Sequence, residues 1–356
     1  MNYKNLLLLA ITFLFLQSCS DETDCCPIPE PEAEFESGLF VLNEGNFGSA
    51  NASVRYFSQD MGQMHGSVFM NINGKGLGDT AQSMEMHESL AIIVVNVSNK
   101  IEIVNRYTFE SIGTIAENLQ NPRYAEVADD KIYVSNWGDG MDPADDFVAV
   151  FNLADFSFIK SIPVAEGPEK VLATNEKLFV THTGGFSFND IVSVISTANN
   201  EVEAEVQVGD VPNSMVMEGN DLWVLSGGMP AYAETETAGK LTNIDIGSNE
   251  VNQEFEFPES SMHPANLSLA GNDVYFTIDR SLFSYDIGSM QPTSEFEMQE
   301  PAVIYGLEIH DGKVYIASPN ADFTGDGTLY IYDLSNGSLT DQFSAGINPN
   351  GIYFND

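Results

Sequence analysis

Apolar residues in this chain recur in short runs separated by turns rich in Gly, Asn and Asp, and long runs with helical spacing are scarce. One type of run occurs seven times, in most cases directly after a two-residue turn typical of hairpins. The seven runs are GLFVLN (38–43), LAIIVVN (90–96), KIYVSN (131–136), KLFVTH (177–182), DLWVLS (221–226), DVYFTI (273–278) and KVYIAS (313–318). Their Val, Ile, Phe and Tyr content is typical of buried strands. The pattern therefore predicts an all-β protein.

Each run belongs to a unit of about 40–50 residues that holds four short strands, which is the size of a propeller blade. The predicted units begin near Ala81, Pro122, Pro168, Pro212, Pro264, Ile304 and Pro349. Seven such runs predict a seven-bladed β-propeller. A parallel β-solenoid is the competing fold, but its coils would be shorter and more uniform.

The first unit has no opening strand of its own, whereas the chain ends on an unaccompanied one, PNGIYF (349–354). We predict that this C-terminal strand pairs into the first blade. Such pairing closes the ring and removes the two sheet edges that an open array would leave exposed. The propeller domain is then predicted to span residues 37–356.

The segment before the propeller has the pattern of an exported lipoprotein. A polar start with Lys4 precedes an apolar stretch from Leu6 to Leu16, which is too short to span a bilayer and predicts a signal peptide over residues 1–18. The stretch ends in LQSC (16–19), which resembles the bacterial lipobox, so we predict lipidation of Cys19. An ordinary cleaved signal with an incidental cysteine is the alternative. Residues 19–36 are predicted to form the lipidated cysteine and a flexible acidic tether.

The charge of the chain excludes one class of partner. Lys and Arg number 13 against 53 Asp and Glu, which gives a formal net charge of −40. Such a surface repels a phosphate backbone, so we exclude nucleic-acid binding. The three cysteines, Cys19, Cys25 and Cys26, all precede the propeller, so no disulfide is expected inside the fold.

No catalytic motif such as H-E-x-x-H, G-x-S-x-G or a P-loop occurs, and we predict that the protein is not an enzyme. His182 and His263 are the histidines expected near one propeller face, where metal binding is the less favoured interpretation. Asp322 and Asp326 in DFTGDG (322–327) weakly resemble a Ca²⁺ loop, although the closing Glu of an EF-hand is missing. Bound Ca²⁺ is the one cofactor considered.

Long loops between second and third strands carry aromatic residues in five blades. In a propeller these loops share a face with the turns that enter the first strands, and functional sites usually lie there. Exposed aromatic residues among Gly and Asn are typical of a binding surface. The aromatic candidates for ligand contact are Phe47, Trp137, Phe186, Phe188, Tyr232 and Phe323.

A ring of mainly amide side chains is expected inside this aromatic rim, at the starts of the first strands. Its members are Gln82, Arg123, Glu169, Asn213, Tyr305 and Asn350, with Tyr124, Lys170 and Asn266 one step further on. Asn and Gln both donate and accept hydrogen bonds, which suits a ligand rich in amides or hydroxyls. The alternative is that these residues cap strand ends around a watery channel. Glu169 is the single carboxylate expected in the ring.

From GLFVLNEGNFGSANASVRYF (38–57) to NPNGIYF (348–354), the domain resembles the YncE-like propeller lipoproteins of Bacteroidetes, which include cell-surface proteins of the DUF5074 type. The acidic run SDETD (20–24) after Cys19 also resembles their surface-export signal. Members of this group include surface lipoproteins that capture cobalamin and hand it to a TonB-dependent outer-membrane transporter, whereas related propellers are known only as cell-surface proteins.

The resemblance implies a lipoprotein of the outer membrane that faces the cell exterior, binds cobalamin or a similar corrinoid, and passes it to such a transporter. Two alternatives remain at this point. One is a structural or adhesive surface propeller that binds a protein or a glycan. The other is a lactonase-like hydrolase with Ca²⁺ in the pore, which would need more carboxylates around the channel than Glu169.

Overall fold

A computed structural model of the chain describes residues 34–174, 176–287 and 291–356, apart from the side chains of residues 292–295. These residues form 28 strands in seven four-stranded antiparallel sheets, together with one short helix. The prediction of a seven-bladed β-propeller is confirmed. The predicted signal peptide, the lipidation site Cys19 and residues 19–33 of the predicted tether lie outside the described residues.

The first four blades follow one another along the chain. Blade 1 contains β1 (Gly38–Asn43), β2 (Ser53–Ser58), β3 (Met64–His65) and the helix α1 (Val68–Asn73); blade 2 contains β4 (Ala81–His87), β5 (Leu90–Val95), β6 (Lys100–Asn105) and β7 (Ser111–Ile115); blade 3 contains β8 (Pro122–Ala128), β9 (Lys131–Asn136), β10 (Phe147–Asn152) and β11 (Phe158–Pro163); blade 4 contains β12 (Pro168–Thr174), β13 (Lys177–His182), β14 (Ile191–Ser196) and β15 (Glu201–Gln207).

The remaining three blades lead to the closing strand. Blade 5 contains β16 (Pro212–Glu218), β17 (Asp221–Ser226), β18 (Lys240–Asp245) and β19 (Glu250–Glu256); blade 6 contains β20 (Ala265–Ala270), β21 (Asp273–Ile278), β22 (Ser281–Asp286) and β23 (Gln291–Glu297); blade 7 contains β24 (Gly306–His310), β25 (Lys313–Ser318), β26 (Asp326–Asp333) and β27 (Leu339–Ile347); β28 (Pro349–Phe354) ends the fold.

The predicted second strands agree with the structure to within one residue. Blades 6 and 7 begin at Ala265 and Gly306, slightly later than the predicted starts at Pro264 and Ile304. The outer strand of blade 1 has two residues, and the helix α1 packs beside β2 through Val68 and Phe69. In the described part of the chain, no helix combines the length and the apolar character that a membrane span requires.

The inner strands β28, β4, β8, β12, β16, β20 and β24 contact one another around the central channel. We use "upper face" for the face that carries the loops between second and third strands and the connections between blades. The opposite face is the lower face. The hydrophobic core lies between neighbouring blades, in seven buried clusters that each draw residues from two adjacent blades. The second strand of each blade is buried on both sides, as in β1 and β9, so these strands read as nearly continuous apolar runs.

The C-terminal strand closes the ring as predicted. β28 pairs antiparallel with β1, with Leu39 opposite Phe354 and Val41 opposite Ile352. It also reaches the next blade, since the Met84 N–H donates a hydrogen bond of 3.0 Å to Tyr353 Oη. Closure therefore joins blade 1 both within its own sheet and to blade 2.

Phe35 belongs to the segment predicted as tether, yet only 1% of its surface is exposed. Its ring packs against those of Phe40, Tyr56 and Phe109 in the cluster shared by blades 1 and 2. Asn355 Nδ2 donates to the Phe35 carbonyl. The two ends of the propeller are thus bonded to each other on the lower face.

Candidate functional site

Backbone hydrogen bonds attach the upper-face loops to the turns that enter the inner strands. In five blades, the N–H of the first loop residue donates a hydrogen bond to the backbone carbonyl of the residue just before the inner strand. These pairs are Glu44 to Asn348, Asn96 to Thr80, Trp137 to Asn121, Thr183 to Gly167 and Gly227 to Val211, at 2.8–3.2 Å. All five acceptor residues have a left-handed φ of 50–69°. The same local turn therefore positions loop and strand start together in successive blades.

Bulges at the starts of the inner strands place extra side chains at the channel. The register shifts between Ala81 and Ser83, Pro122 and Ala125, Pro168 and Val171, Pro212 and Ser214, and Ala265 and Ser268. Bulges re-aim side chains and often occur beside functional sites. Most of the predicted inner-ring residues lie within these bulges.

Four predicted aromatic residues come together over blades 3, 4 and 5, and we call them the first aromatic group: Trp137, Phe186, Phe188 and Tyr232. The rings of Trp137 and Phe186 lie 6.0 Å apart, and those of Phe188 and Tyr232 lie 6.3 Å apart. The loop of blade 4 supplies the middle two rings and so links its neighbours. Gly140 leaves space for this packing, because a Cβ there would lie 2.5 Å from the Phe186 ring.

Arg123 holds the first aromatic group in place from below. Its guanidinium lies 4.0 Å from the centre of the Trp137 ring and makes two hydrogen bonds of 2.9 Å to the Glu169 carboxylate. Trp137 Nε1 donates to the Pro168 carbonyl at 3.0 Å. A bidentate pair fixes the guanidinium plane. Arg123 and Glu169 therefore act mainly on the orientation of Trp137, since each neutralises the charge of the other.

Three further aromatic residues, Phe47, Tyr305 and Phe323, lie over blades 7 and 1 and form the second aromatic group. The rings of Tyr305 and Phe323 are 5.9 Å apart. Asn46 Nδ2 donates to the Phe323 carbonyl at 3.1 Å, which connects the loops of the two blades. Phe47 is 83% exposed.

Blades 2 and 6 carry short loops without aromatic residues, at 96–99 and 279–280. These two blades lie between the two aromatic groups on either side of the channel, so they separate one group from the other. At blade 6 there is a cavity of about 480 Å³ lined by residues that include His263, Asn266 and Arg280. The predicted aromatic rim therefore consists of two separate walls.

A cavity of about 190 Å³ lies between the walls, at the upper end of the channel, and we call it the channel mouth. Six predicted ligand-binding residues line it together with Lys170 and Glu308. They are Gln82, Tyr124, Asn213, Asn266, Tyr305 and Asn350. The structure thus brings most of the predicted inner ring to one cavity.

The amides of the channel mouth are partly engaged with the protein. Asn350 Nδ2 donates to the carbonyls of Ala81 and Gln82 and to Glu44 Oε1, at 3.0–3.2 Å. Its Oδ1 is buried without a hydrogen-bond partner. Asn213 donates to the Pro264 carbonyl at 2.9 Å. The Lys170 ammonium lies 4.0 Å from the centre of the Tyr124 ring.

Carboxylates are more numerous at the channel than predicted. The expectation that Glu169 is the only one is wrong, because Glu308 lines the channel mouth and Glu44 is bonded to Asn350. Glu85, Glu126 and Glu308 also occupy equivalent positions on their inner strands, each paired with the third residue of the second strand. The equivalent residues of the other blades are Leu172, Val216, Ser268 and Tyr353.

These seven equivalent positions lie four residues after the start of each predicted unit and form one layer of the channel. Burial in this layer disfavours the ionised form of a carboxyl group. Burial raises the pKa of Glu308 to about 7, against a hydrogen bond from Ser268 Oγ and the nearby charge of Lys170. Burial also raises the pKa of Glu85 and of Glu126, and the charge of Glu85 raises that of Glu126 further. Burial and the neighbouring charge therefore both favour the protonated form of Glu126.

The histidines and aspartates considered as metal ligands have local partners. Burial lowers the pKa of His182 to about 4, and its Nε2 lies 2.8 Å from Ser193 Oγ. His263 contacts the Gly227 carbonyl and Glu236. Asp322 accepts the Thr324 N–H at 2.9 Å, and Asp326 accepts from Ser344 Oγ at 3.4 Å. Within the described ranges, no three His, Cys, Asp or Glu side chains are grouped so that they could hold a metal ion.

A family model described as "Domain of unknown function (DUF5074)" matches residues 37–354. No curated protein matches the chain. The computationally designed Ika8 protein is similar in structure with a TM-score of 0.61 at 11% identity, over 90% of this chain and 92% of that one. Kuenenia stuttgartiensis hydrazine synthase has a TM-score of 0.59 at 15% sequence identity, over 74% of this chain and 85% of that one. BamB from Moraxella catarrhalis has a TM-score of 0.52 at 12% sequence identity, over 79% of this chain and 84% of that one. At such identities the similarity concerns the fold alone.

Proposed function

The chain belongs to the DUF5074 family, whose description names no ligand, and we propose that it is a binding protein for cobalamin or a similar corrinoid. The observation that carries the proposal is the arrangement of the upper face. Two aromatic walls flank a polar, amide-lined cavity, and the two blades between the walls carry short loops. This arrangement is suited to a large ligand with apolar faces and polar edges.

The chemistry of a corrinoid corresponds to both parts of this surface. Its macrocycle presents broad apolar faces, which aromatic side chains contact over a large area at low cost in conformational entropy. Its periphery carries amides, which pair with groups that both donate and accept hydrogen bonds. The short loops of blades 2 and 6 leave room for the ligand to extend past the walls. The proposed role is binding without catalysis.

The proposal includes a place for the protein in the cell. We propose that Cys19 carries the lipid that anchors the chain to the outer membrane, and that the propeller faces the exterior and hands its ligand to a TonB-dependent transporter. The lipobox-like residues 16–19 support this, together with the acidic run that follows. Metabolic labelling with a radioactive fatty acid tests the anchor, and the variant Cys19→Ala should lose the label.

Calorimetric titration of the purified full chain, in detergent, with cyanocobalamin tests the ligand. We expect saturable heat and a shift in the corrinoid absorbance at micromolar ligand. The absence of both signals would refute the proposed function.

Binding of a glycan is the second candidate function, and the exposure of Tyr232 at 85% and Phe47 at 83% favours it. Exposed rings stack on the apolar faces of sugars as readily as on a macrocycle. This alternative predicts retention by immobilised glycans and no response to corrinoids, so the same titration separates the two functions.

A hydrolase with Ca²⁺ in the pore would need several carboxylates around the channel. The channel does hold more carboxyl groups than Glu169, so their number no longer argues against this function. Glu85, Glu126 and Glu308 nevertheless favour the protonated form, which is a poor ligand for Ca²⁺. We therefore keep binding as the proposed function.

A further inference from the structure

The channel mouth has room for one side group of a corrinoid but not for its macrocycle. The volume of the cavity is about 190 Å³, whereas sites that enclose entire drug-sized ligands usually measure about 300–1,000 Å³. A corrinoid on the upper face would rest on the aromatic walls and extend one side group into the cavity. The charges that line the cavity then decide which kind of side group is bound there.

Lys170 brings a positive charge to the channel mouth. Lys170 and Tyr124 both line the cavity, and the ammonium lies 4.0 Å from the centre of the Tyr124 ring. Lys75 and Lys240 lie 3.0 and 3.1 Å from a carboxylate oxygen, whereas among the described residues the Lys170 ammonium has no carboxylate partner. An aromatic face attracts a cation but leaves the three N–H donors of the ammonium available to a ligand.

The carboxyl groups near the cavity do not cancel this charge. Glu308 lines the cavity with Lys170, and burial raises its pKa to about 7 although the charge of Lys170 acts in the opposite direction. Burial also raises the pKa of Glu44, which is bonded to Asn350. A carboxyl group that favours the protonated form repels an anion less than an ionised one does. The balance of charge at the channel mouth therefore favours an anionic group.

Neutral hydrogen-bond donors complete the lining of the cavity. The amides of Gln82, Asn213 and Asn266 lie there. Asn213 donates to the Pro264 carbonyl at 2.9 Å and Asn266 to Thr277 Oγ1 at 3.0 Å, and each amide NH₂ carries a second N–H beyond that bond. Such donors stabilise an anion without adding further charge.

The size of the cavity favours a carboxylate over a phosphodiester. A carboxylate ends its side group, so it can enter a small cavity from above. A phosphodiester is flanked by two substituents, which would both have to fit into about 190 Å³. The single negative charge of a carboxylate also corresponds to the single lysine that lines the described cavity.

Resting on the proposed function, we propose that the channel mouth is a specificity subsite that binds one carboxylate group of the ligand, with Lys170 as its counter-ion. The Lys170 ammonium donates to the carboxylate. The subsite thereby favours corrinoids in which one peripheral amide is replaced by a carboxylate over fully amidated ones.

Mild acid hydrolysis of cyanocobalamin yields separable monocarboxylic acids, each with one peripheral amide converted, and these are the probes. The full chain in detergent is titrated by calorimetry with the parent compound and with each acid at pH 6, where Glu308 favours the protonated form and an aliphatic carboxylic acid is ionised. We expect one isomer to bind at least about tenfold more tightly than the parent, because hydrogen bonds between charged groups are the stronger ones. The net charge of −40 disfavours every acid alike, so a gain confined to one isomer requires a local cation.

Three variants, each checked for folding by its thermal melt, connect this preference to Lys170. Lys170→Met should abolish the preference for the acid, because it removes the cation and keeps the length of the side chain. Lys170→Arg keeps the charge and should retain the preference. Lys160→Met is the matched control, since it removes the same charge from the outer strand β11 and should leave the preference unchanged.

The outcomes separate this subsite from the proposed function. If the parent binds but no acid binds more tightly, or if the preference persists in Lys170→Met, the subsite is overturned while the proposed function stands. If neither the parent nor any acid binds, the proposed function is overturned and the subsite with it.

Discussion

The aromatic walls and the channel belong to the same face but are built differently. The wall residues lie in loops, and several are largely exposed, as Phe47, Phe186 and Tyr232 are. The channel residues lie on the inner strands that hold the ring together, and they are joined by hydrogen bonds such as those of Asn350. Changes at the walls should therefore alter binding with little effect on folding, whereas changes in the channel should alter both.

The largest effect is expected from deletion of residues 347–356 at the channel. The deletion removes β28, its pairing with β1, and the contact of Tyr353 with blade 2. Loss of an entire inner strand is comparable with the whole stability of a typical domain, about 5–15 kcal/mol. We expect the cooperative thermal transition, followed by circular dichroism, to disappear.

A circular permutant provides the matched control for this deletion. The two ends lie close together, since Asn355 bonds to Phe35, so they can be joined by a short linker. New ends at the exposed turn between Gly219 and Asn220 would move the closing strand to blade 5. The permutant should fold, because its ring is still closed by an inner strand. If the permutant does not fold while the truncated chain melts cooperatively, ring closure is not the source of stability.

The second largest effect is expected for Trp137→Ala in the first aromatic group. Because Arg123 and the Pro168 carbonyl hold Trp137 in one orientation, little entropy is lost when a ligand stacks on it. We expect cyanocobalamin affinity to fall by about 1–3 kcal/mol, the range of a binding hot spot. Phe158→Ala is the control, since Phe158 is an exposed ring on the outer strand β11. Equal loss of affinity in both variants would argue against a site at the walls.

The sequence predicts the walls better than it predicts the channel, and the reason is physical. Seven repeated strands and a spare one at the end determine the ring, and the long loops with aromatic residues follow from their lengths. Glu85 and Glu126 lie in the runs SMEMH (83–87) and YAEVA (124–128), where a polar residue at alternate positions ordinarily indicates a solvent-facing side of a strand. In a closed ring that side faces a narrow channel, so the same pattern gives partly buried carboxyl groups.

Two other features depend on tertiary contacts that no local pattern encodes. Phe35 follows an acidic, proline-rich segment, which predicts that it belongs to the tether, but its side chain is buried between blades 1 and 2. The pairing of Arg123 with Glu169 joins neighbouring blades. The position of Arg123 at a strand start predicts a place in the inner ring, and the structure adds that its guanidinium lies against Trp137.

A pH-dependent effect is expected for Glu126→Gln in the channel. Because the pKa of Glu126 is raised in the folded protein, its stabilising contribution is complete below the ordinary value near 4.5 and is lost as the pH rises through the folded value. The variant should therefore match the wild type near pH 5 and exceed it in unfolding free energy by roughly 1–3 kcal/mol at pH 8–9. Urea denaturation at several pH values measures this. The exposed Glu205→Gln is the control, and a gain that does not depend on pH would contradict the assignment.

The smallest effect is expected for Phe47→Ala in the second aromatic group, and it sharpens the contrast between the two walls. Phe47 is 83% exposed, so a ligand must immobilise its side chain on binding and part of the contact energy is lost to that ordering. We expect cyanocobalamin affinity to fall by about 0.5–1 kcal/mol, less than for Trp137→Ala, and the unfolding free energy to stay within about 0.5 kcal/mol of the wild type. Calorimetry on the two variants side by side gives the ratio. If Phe47→Ala lowers the affinity as much as Trp137→Ala does, the contact of Arg123 with Trp137 adds nothing to binding. The two walls would then contribute equally to the affinity.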